Sequence, residues 1–248
     1  MANPAQDAAP AAARQQLAPS GTLRVGVNLG NFLLVSRQSA DGVGGIVPDL
    51  AQELARRLGV AVELVLYPAA GPVADAARSG AWDAAFIGAE PQRASEIDFT
   101  EPYIEIEATY LVPAGSSIQA VDEVDRKGVR IAVANRSAYD LWLARNIKQA
   151  ELVRAEGIEG SWQLFVKEKL DVLAGLKPRL LQDREKLPGS RILEGRFTTV
   201  QQAIGTPKGR PAGAAYLREF AKDIRTSGLV ARLIERHHVR GVTVAGSA

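Results

Sequence analysis

From Gly21 onward, short β-branched runs alternate with helix-patterned segments, and this constrains the chain more than anything else in it. Residues 23–27, 60–66, 83–87, 104–112, 129–134, 152–155, 170–173 and 196–204 read as strands or extended segments. Helical patterning falls at 48–58, 73–79, 138–148, 160–167 and 177–184, and two further helices, 212–225 and 228–237, close the chain. Such alternation implies an α/β fold whose sheets are largely parallel. The segment 48–58 carries the pattern of an amphipathic helix. Leu50, Leu54 and Leu58 recur every four residues and form one face. Pro48 suits a first turn, Asp49 the positive helix end, and Gly59 a C-terminal stop. Before it, Ala40, Asp41 and Gly42 followed by Gly44 and Gly45 read as a turn. There is no repeat of the ~20–50-residue period that marks solenoids.

A chain of 248 residues, 46% hydrophobic and 23% charged, can bury a core as one large domain or two small ones. It contains no apolar run of the ~18 residues that a membrane-spanning helix needs. Thirty basic against 28 acidic residues give a net charge of +2, with no basic stripe for nucleic acid. The absence of Cys excludes disulfides, thiolate metal sites and cysteine nucleophiles. It fits an oxidising compartment comfortably. The first twenty residues are rich in Ala, Pro and Gln and lack the basic start and apolar stretch of a secretory signal. Either such a signal was removed and a start Met supplied, or the protein stays in the cytoplasm. With no apolar face to bury, residues 1–18 are expected to be mobile, and 1–19 to form a disordered N-terminal segment.

Catalytic and metal motifs are missing. The two histidines, His237 and His238, are adjacent, so on a helix they point ~100° apart and do not converge on a metal. They read as solvated residues at a helix end. No nucleophile elbow and no Walker loop occurs. The glycines at 42, 44 and 45 lack the full dinucleotide fingerprint and read as a plain turn. No cofactor and no metal is implied. Glu90 and Arg93 stand out, because both follow the buried strand at 83–87, where α/β folds collect ligand groups. Glu90 is an exposed loop carboxylate or a site residue. Arg93 is a surface residue, or a guanidinium positioned for paired hydrogen bonds to a carboxylate.

Five segments, in order, resemble one known family. They are GTLRVG from Gly21 with GIVPDLAQELARRLG from Gly45, GAWDAAFIG from Gly80, RASEIDFTEPY from Arg93, GVRIAVA from Gly128, and IGTPKG from Ile204. Together they resemble the family 3 extracellular solute-binding proteins over residues 21–239. The resemblance implies a type II periplasmic binding protein fold, a two-lobed clamp like the amino-acid receptors of ABC importers. Each lobe would be a mostly parallel sheet flanked by helices, with a two-strand hinge and a ligand that closes the lobes. Lobe 1 would hold residues 20–107 and 205–248, and lobe 2 residues 108–204.

The resemblance also implies site residues. In the family the Arg of the R-x-x-x-x-D-F motif grips the ligand carboxylate, and Arg93 holds that place. Glu90 stands where the family commonly has Ser or Thr. It could pair with Arg93 or receive a ligand ammonium. Asn28, Asn31 and Phe32 fall in the loop that often supplies an aromatic wall. Gly88 ends the strand before Glu90. Ala69 and Ala70 are small and leave room for a ligand. In the second lobe Arg136, Ser137 and Ala138 occupy the turn whose backbone N–H groups would meet the carboxylate.

The main departure is also there. Amino-acid binders of the family carry an acid five positions after the strand's Asp, to receive the ligand ammonium. Asp171 is that Asp, and the fifth position is Leu176, followed by Lys177. A buried ammonium without a partner is costly. Either Glu90 supplies the negative charge, or the ligand has no ammonium and Lys177 or Arg136 adds a positive group. The expected function is capture of a small carboxylate-bearing solute, an amino acid or related organic acid, for the permease of an ABC importer. A periplasmic monomer without catalytic residues is expected. The alternatives are a cyclohexadienyl-dehydratase-like enzyme with Glu90 as its acid, and a ligand sensor with no transport role.

Overall fold

The computed structural model describes residues 9–37 and 42–246. In chain order the elements are α1 (Ala11–Leu17), β1 (Thr22–Asn28), β2 (Ser36–Arg37), β3 (Val43–Gly44), α2 (Ile46–Leu58), β4 (Ala61–Tyr67), α3 (Ala70–Asp75), β5 (Ala84–Gly88), β6 (Ile97–Phe99) and β7 (Ile104–Val112). They continue as β8 (Arg130–Ala134), α4 (Ala138–Asn146), β9 (Glu151–Ala155), α5 (Gly157–Lys167), β10 (Val172–Leu176), α6 (Lys177–Lys186), β11 (Arg191–Ile192), β12 (Thr198–Pro207), α7 (Pro211–Thr226), α8 (Leu229–Arg236) and β13 (Thr243–Val244). The chain divides into two compact units, 1–104 with 201–248, and 105–200.

In the first unit the strand order is β4-β1-β5-β12. β1 runs parallel to β4 and β5, and β12 runs antiparallel to β5. Trp82, Ile87, Val73 and Ile97 form one core cluster, and the Trp82 indole donates to the Val73 carbonyl at 2.9 Å. In the second unit the order is β7-β10-β8-β9, with β8 parallel to both β9 and β10 and β7 antiparallel to β10. Its core gathers Leu111, Ala132, Phe165, Leu170 and Leu173.

The two units use one device to set the register of their parallel strands. In the first, Asp83 precedes β5, and its Oδ2 accepts from the Arg24 backbone N–H in β1 at 3.2 Å. The Asp83 N–H returns to the Arg24 carbonyl at 2.8 Å. In the second, Asp171 precedes β10, its Oδ2 accepts from the Arg130 N–H at 2.8 Å, and its N–H donates to the Arg130 carbonyl at 3.2 Å. The next residues then pair across the ladder, Val25 with Ala84 and Ile131 with Val172. What differs is burial. Asp83 is fully buried and also accepts from Arg24 Nε, Arg24 Nη2 and Arg210 Nη1 at 2.8–2.9 Å. Asp171 keeps 44% of its side-chain surface.

The N-terminus departs from expectation where it is described. Residues 1–8 lie outside the described residues, but Ala11–Leu17 is a helix, not a mobile tail. The reason is a small apolar face. Ala13, Leu17 and Ala18 are buried, and α1 packs on α7. A Cβ on Gly213 of α7 would meet Leu17 at 3.0 Å, and the Gly213 N–H donates to Gln16 Oε1 at 2.9 Å. Of the expected turn at 40–45, Ala40 and Asp41 lie outside the described residues, while Val43–Gly44 pairs with Ser36–Arg37 as a small hairpin. His237 is not simply solvated: it closes α8, and its Nε2 lies 2.9 Å from Asp49 Oδ2 in the first turn of α2.

Two stability measurements check these readings. Leu17→Ala is expected to cost about 2–5 kcal/mol in urea unfolding, as a buried Leu does and a mobile tail does not. Asp83→Asn is expected to cost about 3 kcal/mol, the lower end for a broken buried pair, because both guanidinium groups keep some water contact. Asp171→Asn, whose pair is exposed, is expected to cost less than about 1 kcal/mol.

Candidate functional site

Parallel strands collect their ends at one edge, and most of the candidate residues fall there. In the first unit the register places Asn28 of β1 beside Tyr67 of β4, and Val27 beside Phe86 of β5. The loops that follow leave this edge together. Leu29 N–H donates to the Tyr67 carbonyl at 2.9 Å, and a Cβ on Gly30 would meet the Pro68 carbonyl oxygen at 2.9 Å. The close approach of the two loops therefore requires glycine at that position.

Arg93 lies in a short 3₁₀ turn, Arg93–Ser95, after β5. The turn starts from the Glu90 carbonyl, which accepts from the Arg93 and Ala94 N–H groups at 2.9 and 3.1 Å. The Arg93 side chain is buried, with the residue only 5% exposed, and its Nη1 donates to the Gly88 carbonyl at 2.7 Å. A guanidinium has five donors in a fixed fork, so this bond fixes the direction of the rest. Arg93 is therefore a core-anchored cation at a strand end, not a surface residue. Glu90 is half-buried on the same loop.

The loop after β1 contributes two amides of different character. Asn28 Oδ1 accepts from the Gly30 N–H at 2.9 Å, so the side chain folds onto its own turn. Asn31 is 7% exposed, and its Oδ1 has no hydrogen-bond partner among the described residues. Such an acceptor costs about 1–3 kcal/mol unless a donor reaches it. Phe32 is half-buried beside it in sequence, and Ala70 is half-buried at the start of α3.

In the second unit, β8, β9 and β10 end at a common edge. After β8 the chain turns through Arg136 at φ 56°, a left-handed conformation rare outside glycine. Asp140 holds that turn. Its Oδ2 accepts from the Arg136 N–H at 2.7 Å, and Arg154 Nε from β9 binds the same carboxylate at 2.9 Å. Ser137 caps α4, its Oγ accepting from the Asp140 N–H at 3.1 Å, and its own N–H donates to the Ala134 carbonyl. Ala138 is buried as the first residue of α4. Sequence reasoning missed Asp140, although Ser137 followed three residues later by an acid is a capping signature.

Leu176 is buried at the end of β10, and Lys177 opens α6. The Lys177 ammonium is engaged: Nζ donates to Glu107 Oε2 at 2.7 Å, and Arg196 Nη1 takes Oε1 at 2.8 Å. First the Lys177 bond and then the Arg196 bond hold the Glu107 carboxyl below the usual range. Glu107 was also missed. It reaches this edge because β7 runs antiparallel to β10, with Ala108 opposite Leu176, a pairing that no local pattern announces. No group of three or more His, Cys, Asp or Glu among the described residues could hold a metal ion.

The model of the bacterial extracellular solute-binding proteins, family 3, matches residues 23–240. No curated protein sequence matches. Among solved structures, an ancestral amino acid-binding protein, described as a precursor of cyclohexadienyl dehydratase, is 21% identical with a TM-score of 0.74. That match covers 90% of this chain and 97% of that one. A putative binding component of an ABC transporter from Wolinella succinogenes, complexed with lysine, is 22% identical over 88% of this chain and 95% of that one, with a TM-score of 0.74. An amino acid ABC transporter substrate-binding protein from Streptococcus pneumoniae, bound to L-arginine, is 19% identical over 89% and 95%, with a TM-score of 0.73. These likenesses show the type II periplasmic binding protein fold, and the family match spans nearly the whole chain. The chain belongs to the family 3 bacterial extracellular solute-binding proteins.

Proposed function

We propose that this protein captures a small carboxylate-bearing solute, with Arg93 as the main anchor, and delivers it to the membrane permease of an ABC importer outside the cytoplasm. The observation that carries this reading is the Arg93 guanidinium, buried at the end of β5 and aimed by its bond to the Gly88 carbonyl. A fixed guanidinium in a low-dielectric setting makes charge-assisted, paired hydrogen bonds to a carboxylate. The solute-binding structures bound to lysine and to L-arginine support an amino acid in particular.

Two further observations favour a ligand that carries an ammonium as well. Asn31 Oδ1 is a buried acceptor at the same edge as Arg93, and an ammonium is a donor only. Lys177 is already paired with Glu107, which weakens the case for Lys177 as a second cation facing a plain acid. Glu90 then takes the part of the acid that Leu176 does not supply.

The test is a melting-temperature screen of the purified protein against α-amino acids and their keto, hydroxy and aromatic acid counterparts. A ligand that binds only the folded state raises the melting temperature by mass action. Amino acids are expected to shift it and their deaminated counterparts are not. The reverse result would replace the ligand class. Arg93→Ala is expected to abolish the shift and to lower stability by about 1–3 kcal/mol, because the Gly88 carbonyl loses its donor. Arg93→Lys keeps the charge but not the fork, and is expected to bind at least about tenfold more weakly. Glu90→Gln is expected to lose amino-acid binding. Turnover of prephenate or arogenate would replace capture with the dehydratase reading.

A further inference from the structure

The second unit contains a cavity of about 510 Å³ that none of the residues discussed above as ligand groups lines. Its volume falls in the ~300–1,000 Å³ range of small-molecule sites. Three aromatic side chains form its wall. The Phe197 ring lies between Tyr110, at a centroid distance of 4.5 Å, and Trp142, at 5.4 Å, with tilts of 33° and 36°. Tyr110 is only 2% exposed, so its ring is held in place as part of the wall. Burial first, and the charge of Asp125 second, raise its pKa, so the hydroxyl stays protonated and the Asp125 carboxylate is close enough to be felt.

The charge around this wall is negative. Asp122, Asp125 and Glu194 line the cavity, against one cation, Arg196, whose guanidinium is bound to Glu107 at 2.8 Å. Asp125 is fixed in place by the N–H groups of Lys148, Gln149 and Ala150 at 2.7–2.9 Å. Burial raises its pKa, but these three bonds outweigh that and keep it ionised below the usual carboxylate range. Aromatic faces with carboxylates beside them attract a cation that is weakly hydrated and has an apolar body. A hydrated metal ion gains little from ring faces, and an anion would meet the acids.

We propose that this cavity, walled by Tyr110, Trp142 and Phe197 and flanked by Asp122, Asp125 and Glu194, is a second ligand site that takes a small organic ammonium cation. Its lining belongs wholly to the second unit, and the proposal does not depend on the transport reading.

Calorimetric titration with choline, and with its neutral isostere 3,3-dimethylbutanol, tests the proposal. Choline is expected to bind at least about tenfold more tightly than the neutral alcohol, because only the cation gains from the rings and carboxylates. Trp142→Leu, on the half-buried face of α4, is expected to weaken choline by about tenfold, and Glu194→Gln, which is exposed, by severalfold. Arg93→Ala is expected to leave choline binding unchanged. Equal binding of the two probes, no binding of choline, or loss of choline binding in Arg93→Ala would each overturn the proposal. Retained choline binding in both Trp142→Leu and Glu194→Gln would overturn it as well.

Discussion

The first unit is built around a buried carboxylate. Asp83 is fully enclosed, and a charge in that position is tolerable only if it is paired and hydrogen-bonded. Arg24 supplies a backbone N–H and two guanidinium bonds from β1, and Arg210 adds another from the residue before α7. The Thr206 hydroxyl donates to the Asp83 carbonyl from β12. One residue thus ties the start of β5 to β1, 59 residues before it, and to β12 and the start of α7, more than a hundred residues after it. Everything at the far end of these strands inherits its register from this clamp, including Gly88 and hence the direction of the Arg93 guanidinium. Asp171 repeats the backbone half of the arrangement in the second unit without the burial. The shared logic sets strand register in both units, and only the first commits a buried charge to it.

Much of the fold was legible because its elements announce themselves locally. The strand at 104–112 coincides with β7, and the helix with Leu50, Leu54 and Leu58 on one face begins two residues earlier than its Pro48 suggested. The strand read at 170–173 is β10 at 172–176, displaced because Leu170 packs into the core from the turn before the strand. The pieces that escaped are those whose stability is not local. The face of α1 is two buried residues wide and makes sense only against α7, where Gly213 meets Leu17, two hundred residues on. The two- and three-residue strands β2, β3, β6, β11 and β13 have too few positions to show an alternation.

The site was legible unevenly, for the same reason. Arg93 was singled out by a motif and Glu90 as a departure from it, and both stand on the loop after β5. The way Arg93 is held could not, since a buried arginine and a surface arginine look alike in sequence. Pairings across strands were invisible: Glu107 meets Lys177 and Arg196 only because an antiparallel strand brings it there. The aromatic wall of Tyr110, Trp142 and Phe197 draws one residue each from β7, α4 and the segment before β12, with spacings that carry no period.

Strain separates the turn after β8 from ordinary loops. Among the described residues, three that are not glycine adopt positive φ, Arg136, Lys169 and His238. Lys169 and His238 lie one residue past the C-caps of α5 and α8, where a left-handed residue commonly closes a helix, so each has a local explanation. Arg136 follows a strand and precedes a helix, and nothing in helix termination requires its conformation. It is held instead by Asp140, a buried carboxylate that is itself neutralised by Arg154. A left-handed residue of this kind costs about 1–3 kcal/mol and persists only where its surroundings over-determine it. The second unit therefore commits a buried carboxylate, its ion pair to a partly exposed arginine and a helix cap to maintaining one turn at the ends of its parallel strands. The first unit likewise commits a buried arginine and an unpartnered amide oxygen to the corresponding edge. Neither expenditure improves packing, and both fall where α/β sheets present groups to a ligand.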